Sequence, residues 1–202
     1  MPDDQTNTLL KQRLISLADD RPESYQAAYA WFVHQGPEVT GALSEALDDA
    51  SLGSVCHWRI LLLLGHFARE DTLPAILNAL HRALSPYDPV VLPGAMQALA
   101  ALRLPAATQA LIALLNESNT DIVKQAAALL GQTGDPAAVA PLLQLLSGND
   151  PSLRYSAARG LTQLDDPPVR DALRRHLGGE TDVEVRRLIE SAVRGEADNS
   201  ER

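Results

Sequence analysis

The sequence predicts an all-α protein: a right-handed α-α superhelix, or α-solenoid, of about five helical hairpins plus a terminal helix. Hydrophobic residues make up 46% of the 202 residues but aromatic residues only 4%, and much of the apolar content is Ala and Leu. Closely packed helices use that mixture, whereas sheets favour β-branched and aromatic side chains. A helix–break–helix unit also returns about every 30 to 35 residues, which is the period of a stacked helix pair.

The clearest unit is residues 121–150, DIVKQAAALLGQTGDPAAVAPLLQLLSGND. Its first half has apolar residues spaced as one face of a helix, which the stretch 131–134 (GQTG) is expected to break. Asp135 is a predicted N-cap, and Pro136 suits the first position of a second helix because a missing N–H costs nothing there. The second helix carries one apolar stripe, formed by Val139, Leu142, Leu143 and Leu146.

Other stretches repeat this layout before and after the central unit. They begin at Tyr25, Trp58, Gly94 and Pro151. A last helix is expected over Val183 to Arg194, opened by a capping box at Thr181 and polar on its outer side, which suits the end of a stack. We therefore predict a single repeat domain over residues 8–194, with frayed tails at 1–7 and 195–202.

The motif of the central unit resembles a known family. Its Val123-Lys124 pair, alanine-rich helix, Gly131 and the following Gly134-Asp135-Pro136 are similar to the bacterial HEAT-like repeat of the phycobilisome-lyase type. The resemblance is strong over residues 89–194 and weak over residues 22–88. It implies the superhelical fold and says little about function, because such repeats serve lyase subunits, adaptors, chaperones and unrelated scaffolds.

The resemblance also implies a structural ladder of ion pairs. In that family, an Asp after the break tends to meet an Arg or Lys on the first helix of the next repeat. Carried over to this sequence, Asp135 is expected to approach Arg154, and Asp165 to approach Arg186. The pairs would join neighbouring hairpins and so have a structural role.

The sequence contains no catalytic motif that we can identify. The five histidines form no HExxH helix, no serine lies in a GxSxG turn, and the glycines do not cluster as in a phosphate-binding loop. The single cysteine, Cys56, excludes an intramolecular disulfide and a cysteine-based zinc site. We therefore predict no catalytic residues, no metal site and no cofactor.

The charge and the longest apolar run limit the partners and the location. The net charge of −9 argues against a general nucleic-acid binder, because phosphate contacts need a basic face. The longest apolar run, Ile60 to Leu64, is far shorter than the roughly 20 residues of a membrane span. The N-terminal residues lack the basic-then-apolar order of a signal peptide. We expect a cytoplasmic bacterial protein that does not enter the membrane.

The predicted partner-binding surface lies on the second helices of the hairpins, which usually line the concave side of such a stack. Their exposed polar positions would give an acidic end, a polar middle and a basic end. These positions are Glu45, Asp48, Asp49, Asn78, His81, Arg82, Gln109, Asn116, Gln144, Arg174 and Arg175. The predicted function is a non-catalytic scaffold or adaptor that binds another protein there.

Two alternatives stay open. Seven of the eight aromatic residues precede residue 90, which fits either a wide core or a pocket for a flat ligand. A pocket near Trp31, Trp58 and His57 would indicate a lyase or chromophore-handling subunit of the bilin-lyase type, as the resemblance implies. The other alternative is a nucleic-acid enzyme similar to the HEAT-like alkylpurine DNA glycosylases, which use a basic concave face.

Overall fold

The computed structural model describes residues 4–164 and 166–194, with side chains from residue 8 onward, and this part of the chain contains helices and no β-strand. The α-helices are α1 (Asp4–Ala18), α2 (Pro22–Gln35), α3 (Thr40–Ala46), α4 (Gly53–Phe67), α5 (Leu73–Leu84), α6 (Val91–Leu102), α7 (Pro105–Ala113), α8 (Thr120–Thr133), α9 (Val139–Leu146), α10 (Pro151–Gln163), α11 (Pro167–Leu177) and α12 (Val183–Arg194). The all-α repeat fold is thus confirmed. In chain order, α2 to α11 match the five predicted helix pairs, and α12 is the terminal helix.

The N-terminal helix α1 was missed from the sequence. It begins at Asp4, so the predicted frayed start at 1–7 is helical from residue 4 onward. The predicted tail at 195–202 lies outside the described residues. The chain divides into two compact units, residues 1–102 and residues 103–202, which are described separately below as the first and second unit.

The first unit is organised around α4, which contacts α1, α2, α3 and α6. Ile60, Leu61, Leu63 and Leu64 of α4 are fully buried. Arg59, on the same helix, ties α4 to the end of α1. Its guanidinium donates to the carbonyl oxygens of Leu17 and Asp19 and lies 4.3 Å from the centre of the Tyr25 ring. This arginine satisfies carbonyls that the C-terminus of α1 leaves without helical partners.

The second unit is organised around α10, which contacts α8, α9, α11 and α12. Small residues face each other where α8 meets α10, and Ala127, Ala157 and Gly160 are buried there. Helix α8 ends within the predicted stretch 131–134, at its last residue: the helix continues to Thr133, and Gly134 ends it in the left-handed conformation at φ 70°. Gly131 therefore lies inside the helix and does not interrupt it. Gly131 is instead a buried packing position against Gly160.

The apolar stripe of α9 is only partly as predicted. Leu142 and Leu146 are buried, whereas Val139 and Leu143 keep intermediate exposure. The buried stripe is therefore narrower than the sequence pattern suggested.

Side-chain caps at the N-termini of α6, α8, α10 and α12 mark the repeat period. The capping residues are Asp88, Asn119, Asp150 and Asp182, each of which accepts a hydrogen bond from a backbone N–H in the first turn. They are separated by 31, 31 and 32 residues (119 − 88, 150 − 119, 182 − 150). At α12 the cap is Asp182 and not the predicted Thr181. The period expected from the sequence therefore has a physical marker at these four helix starts, whereas α2 and α4 have no side-chain cap.

Candidate partner-binding surface

Every residue of the predicted partner-binding surface is exposed. In the first unit, Glu45 lies on α3, Asp48 and Asp49 follow it directly, and Asn78, His81 and Arg82 lie on α5. In the second unit, Gln109 lies on α7, Asn116 follows in a short 3-10 turn, Gln144 lies on α9, and Arg174 and Arg175 lie on α11. Exposure is what a contact surface requires, and binding at these residues stays a prediction.

In the first unit, Arg82 connects the exposed end of α3 to α5. Its Nη1 lies 2.6 Å from Asp48 Oδ1, and its Nη2 donates to the carbonyl oxygen of Leu47 at 2.8 Å. Both partners of the ion pair are more than half exposed. An exposed pair of this kind contributes about 1 kcal/mol or less to stability, so these charges can exchange partners at low cost.

A cavity of about 140 Å³ lies beside this ion pair. Its walls are mostly apolar, with three polar side chains among them. The lining residues are Leu47, His57, Ala79, Arg82, Ala83, Pro86, Asp88 and Val91. The loop between α5 and α6 contributes Pro86 and Asp88 to the wall, and the first residue of α6, Val91, also forms part of it. We call this the α5–α6 cavity.

Asp88 is held rigidly in the wall of the α5–α6 cavity. One carboxylate oxygen accepts from Val90 N at 2.8 Å and Val91 N at 3.0 Å, and the other accepts from Ser54 Oγ at 2.6 Å. Burial raises the pKa of Asp88, but the hydrogen bonds from Ser54 and from the two backbone N–H groups outweigh it, so the pKa lies below its ordinary value. The carboxylate therefore stays ionised and caps α6.

His57 is fixed on the α4 side of the same cavity. Its Nε2 lies 3.0 Å from the carbonyl oxygen of Asp49, and since a carbonyl oxygen only accepts, Nε2 donates. The Asp49 carboxylate accepts from the backbone N–H and the hydroxyl of Ser51, and these hydrogen bonds lower its pKa. Asp49 is therefore a fixed negative charge at the end of α3.

The two tryptophans of the first unit pack against different neighbours. Trp31 packs edge-on against the buried Phe32, with ring centres 5.0 Å apart, and Arg13 lies over its ring. Trp58 packs over Gly94 of α6. Of the trio Trp31, Trp58 and His57 that a chromophore pocket would need, only His57 lines the α5–α6 cavity. Both tryptophans keep intermediate exposure, so neither is fully buried in the core.

The basic end of the predicted surface is partly neutralised within its own helix. Arg174 Nη1 lies 2.6 Å from Asp171 Oδ1, and Arg175 Nε donates to the Asp171 carbonyl oxygen at 3.3 Å. The positive charge that α11 offers to a partner is therefore smaller than its sequence suggests.

The predicted ladder needs correction at Arg154. Its guanidinium pairs with Glu180 through two hydrogen bonds, Nε to Oε2 at 3.0 Å and Nη2 to Oε1 at 2.9 Å, in place of the expected Asp135. Asp135 instead caps the turn before α9 by accepting from Ala137 N at 2.9 Å. Arg186 donates to the carbonyl oxygen of Glu180. Asp165, its expected partner, lies outside the described residues.

Glu180 is the residue that sequence reasoning missed. Its side chain is 1% exposed, and it also accepts from His176 Nε2 at 2.9 Å and from the backbone N–H groups of Thr181 and Asp182. The hydrogen bonds from Arg154, assisted by those from Asp182 and His176, lower the pKa of Glu180 to about 2 despite burial. No local pattern indicates this pair, because 26 residues separate Arg154 from Glu180.

Metal binding and membrane insertion each require a recognisable arrangement of residues. Among the residues with described side chains, no group of three or more His, Cys, Asp or Glu side chains is arranged to hold a metal ion. None of the described helices combines the length and apolar character that crossing a bilayer requires. Cys56 is buried, and burial raises the pKa of its thiol to about 11.

The fold of this chain is similar to those of solved helical-repeat proteins. The chain is similar to designed armadillo repeat protein YIII(Dq.V1)4CPAF in complex with peptide (KR)4, at 16% identity and a TM-score of 0.50 over 93% of this chain and 99% of that one. An engineered protein is similar at 20% identity and a TM-score of 0.50, covering 92% of this chain and 95% of that one. At these identities the likeness shows the fold alone.

Human deoxyhypusine hydroxylase is similar at 17% identity and a TM-score of 0.46, covering 95% of this chain and 97% of that one. A search of curated proteins found no match by sequence. The family described as HEAT repeats matches residues 42–130 and 124–194, which together are well over half of the sequence. The chain therefore belongs to the HEAT-repeat family.

Proposed function

We propose that this chain is a non-catalytic interaction scaffold, an adaptor that binds a segment of a partner protein along the exposed polar side of its second helices. The observation that carries the proposal is the surface formed by α3 and α5, where exposed charges adjoin the α5–α6 cavity. Helical repeats commonly present such a face to extended partners. The designed armadillo repeat protein of similar fold, in complex with the peptide (KR)4, supports this kind of binding.

Charge supports a partner with basic character at the first unit. Residues 1–102 contain 12 acidic and 6 basic side chains, a balance of −6. Complementary charge speeds encounter and sets the register of a bound segment more than it raises affinity. We therefore propose that the principal contacts are made by Glu45, Asp48 and Asp49. We also propose a cytoplasmic location, which suits a protein with a single buried thiol.

The proposal is tested by capture of partners from source cells with the full chain and two matched variants. The surface variant is E45Q/D48N/D49N, and the control is E117Q/D121N/E184Q, which removes the same charge from exposed acids of the second unit. We expect a co-purifying protein that the control retains and the surface variant loses, with binding that weakens as salt increases. Identical capture by all three chains, or no partner at all, would overturn the proposal.

The alternatives have their own readouts in the same preparation. A chromophore-handling role would quench the fluorescence of Trp31 and Trp58 upon bilin titration, which the scaffold role does not predict. A nucleic-acid enzyme would retard labelled DNA or RNA at low salt, where electrostatic attraction is strongest. Either result would replace the scaffold proposal if capture also failed.

A further inference from the structure

We propose that the α5–α6 cavity binds one aliphatic side chain of leucine size from the partner segment, with a Lys or Arg beside it that pairs with Asp48 or Asp49. This inference rests on the proposed function and specifies the partner. Its occupant is therefore a protein segment with an aliphatic anchor and a basic neighbour.

The size of the cavity fits a single side chain. Its volume is about 140 Å³, and an apolar cavity of about 150 Å³ is known to hold a molecule as large as benzene. A leucine side chain is smaller than benzene and would fit the cavity. The backbone of the partner would stay outside. A folded element of a partner would not enter.

The walls favour an apolar occupant. Four apolar residues line the cavity, and each is otherwise buried within the first unit: Leu47, Ala79, Ala83 and Val91. The polar side chains already have partners: Asp88 accepts three hydrogen bonds, His57 donates to Asp49, and Arg82 donates to Asp48 and Leu47. A polar ligand would lose water without gaining equivalent bonds, whereas an apolar side chain gains by leaving water.

The rim of the cavity favours a basic neighbour. Asp48 and Asp49 are both exposed at the end of α3, with Glu45 one turn earlier. Arg82 is the basic residue at this rim, and Asp48 already pairs with it. A Lys or Arg of the partner would therefore meet an excess of negative charge, and exchange of the exposed Arg82–Asp48 pair costs little.

Exposed apolar residues are sequence neighbours of the residues at the cavity. Tyr87 and Val90, in and after the α5–α6 loop, are 49% and 38% exposed, and Val55 is 39% exposed beside the Ser54 that binds Asp88. Single exposed apolar residues are common, but each of these is next in sequence to a residue that lines the cavity or binds Asp88. A bound segment with an aliphatic anchor would cover them.

The test is selection of a random displayed peptide library on the full chain, with counter-selection on an A83V variant that narrows the cavity. We expect the selected peptides to share an aliphatic residue beside Lys or Arg, and a synthetic version with that residue changed to Ala to bind about tenfold or more weakly. The D48N/D49N variant should weaken binding of the basic peptide. Peptides that bind wild type and A83V equally, or that tolerate Ala at the anchor, would overturn the inference.

Methyl NMR of the unmodified chain keeps the test valid if A83V folds poorly. Addition of the selected peptide should shift the methyl signals of Leu47 and Val91 and leave those of Leu142 unchanged. Absence of shifts at Leu47 and Val91 would contradict the inference. If capture of a partner still depended on Glu45, Asp48 and Asp49, the scaffold function would stand and only the anchor would fail.

Discussion

Successive first helices meet in both units, at α4 and α6 in the first and at α8 and α10 in the second, but the most crowded glycines face different groups in the two contacts. A Cβ on Gly160 would lie 2.3 Å from the carbonyl oxygen of Ala127, and one on Gly131 would lie 2.4 Å from that of Gly160. A Cβ on Gly94 would instead meet Trp58 Cδ1 at 2.7 Å. Gly131 and Gly160 bring two backbones together in the second unit. In the first unit Gly94 makes room for a large ring, and a Cβ on Gly65 would approach Ala98 Cα less closely, at 3.1 Å.

The two units also use charge differently. In the second unit, the Arg154–Glu180 pair is nearly inaccessible and connects α10 to the segment before α12. In the first unit, the pair Arg82–Asp48 is exposed, and so is the pair Arg69–Asp71. The second unit has exposed pairs as well, such as Arg174–Asp171 and Arg187–Glu184, so the contrast between the units lies in the buried pair.

The largest difference in unfolding free energy between the two units is expected when one ion pair is broken in each. Glu180→Ala leaves Arg154 and the nearby backbone N–H groups without their acceptor and should lower the free energy of unfolding by about 3–5 kcal/mol. Asp48→Ala removes an exposed partner and should cost about 1 kcal/mol or less. Urea unfolding followed by circular dichroism measures both, and equal losses would refute the distinction between structural and available charge.

The same pair predicts sensitivity of the second unit to acid. Because the pKa of Glu180 falls from 4.5 to about 2 on folding, its stabilisation is complete above about pH 4.5 and disappears as the pH falls toward 2. The stability difference between wild type and E180Q should therefore shrink over that range. Hydrogen exchange of α10 and α12 as a function of pH would measure it, and a constant difference would contradict the assignment.

Gly160→Ala and Gly94→Ala test the two uses of glycine. The Gly160 substitution must move backbone and should cost about 1–3 kcal/mol. The Gly94 substitution meets the Trp58 ring and no backbone atom among its nearest neighbours, and alanine favours helix, so its cost should be below that of Gly160→Ala. Urea unfolding of both variants gives the ranking, and a larger loss at Gly94 would reverse the comparison.

The smallest expected effect comes from the helix caps. Asp88→Ala removes the cap of α6 together with the hydrogen bond from Ser54 and should cost about 1–2 kcal/mol. Asp150→Ala removes a cap whose other partner, Ser152, is two residues away, and so it should cost less. Thermal unfolding of the two variants distinguishes them. The reverse order would show that the bond between Asp88 and Ser54 adds nothing.

Much of the fold could be predicted from sequence because its signals are local. The boundaries of the last helix, Val183 to Arg194, are as predicted, since apolar spacing and a break mark them within a few residues. Helix α1 was missed because its contacts with α2 and α4 lie outside the repeat pattern. For the candidate surface, exposure was predictable from the polar face of each second helix, but the cavity beside it was not.

The sequence by itself determined that the chain forms repeated helix pairs, since helix periodicity, caps and breaks depend on neighbours along the chain. It also determined that the polar residues named for the candidate surface remain exposed. Only the tertiary structure decided that Arg154 pairs with Glu180, that Gly131 packs and does not break its helix, and that Leu47, Asp88 and Val91 enclose one cavity. These outcomes depend on which helices touch, and contacts between residues distant in sequence leave no local pattern.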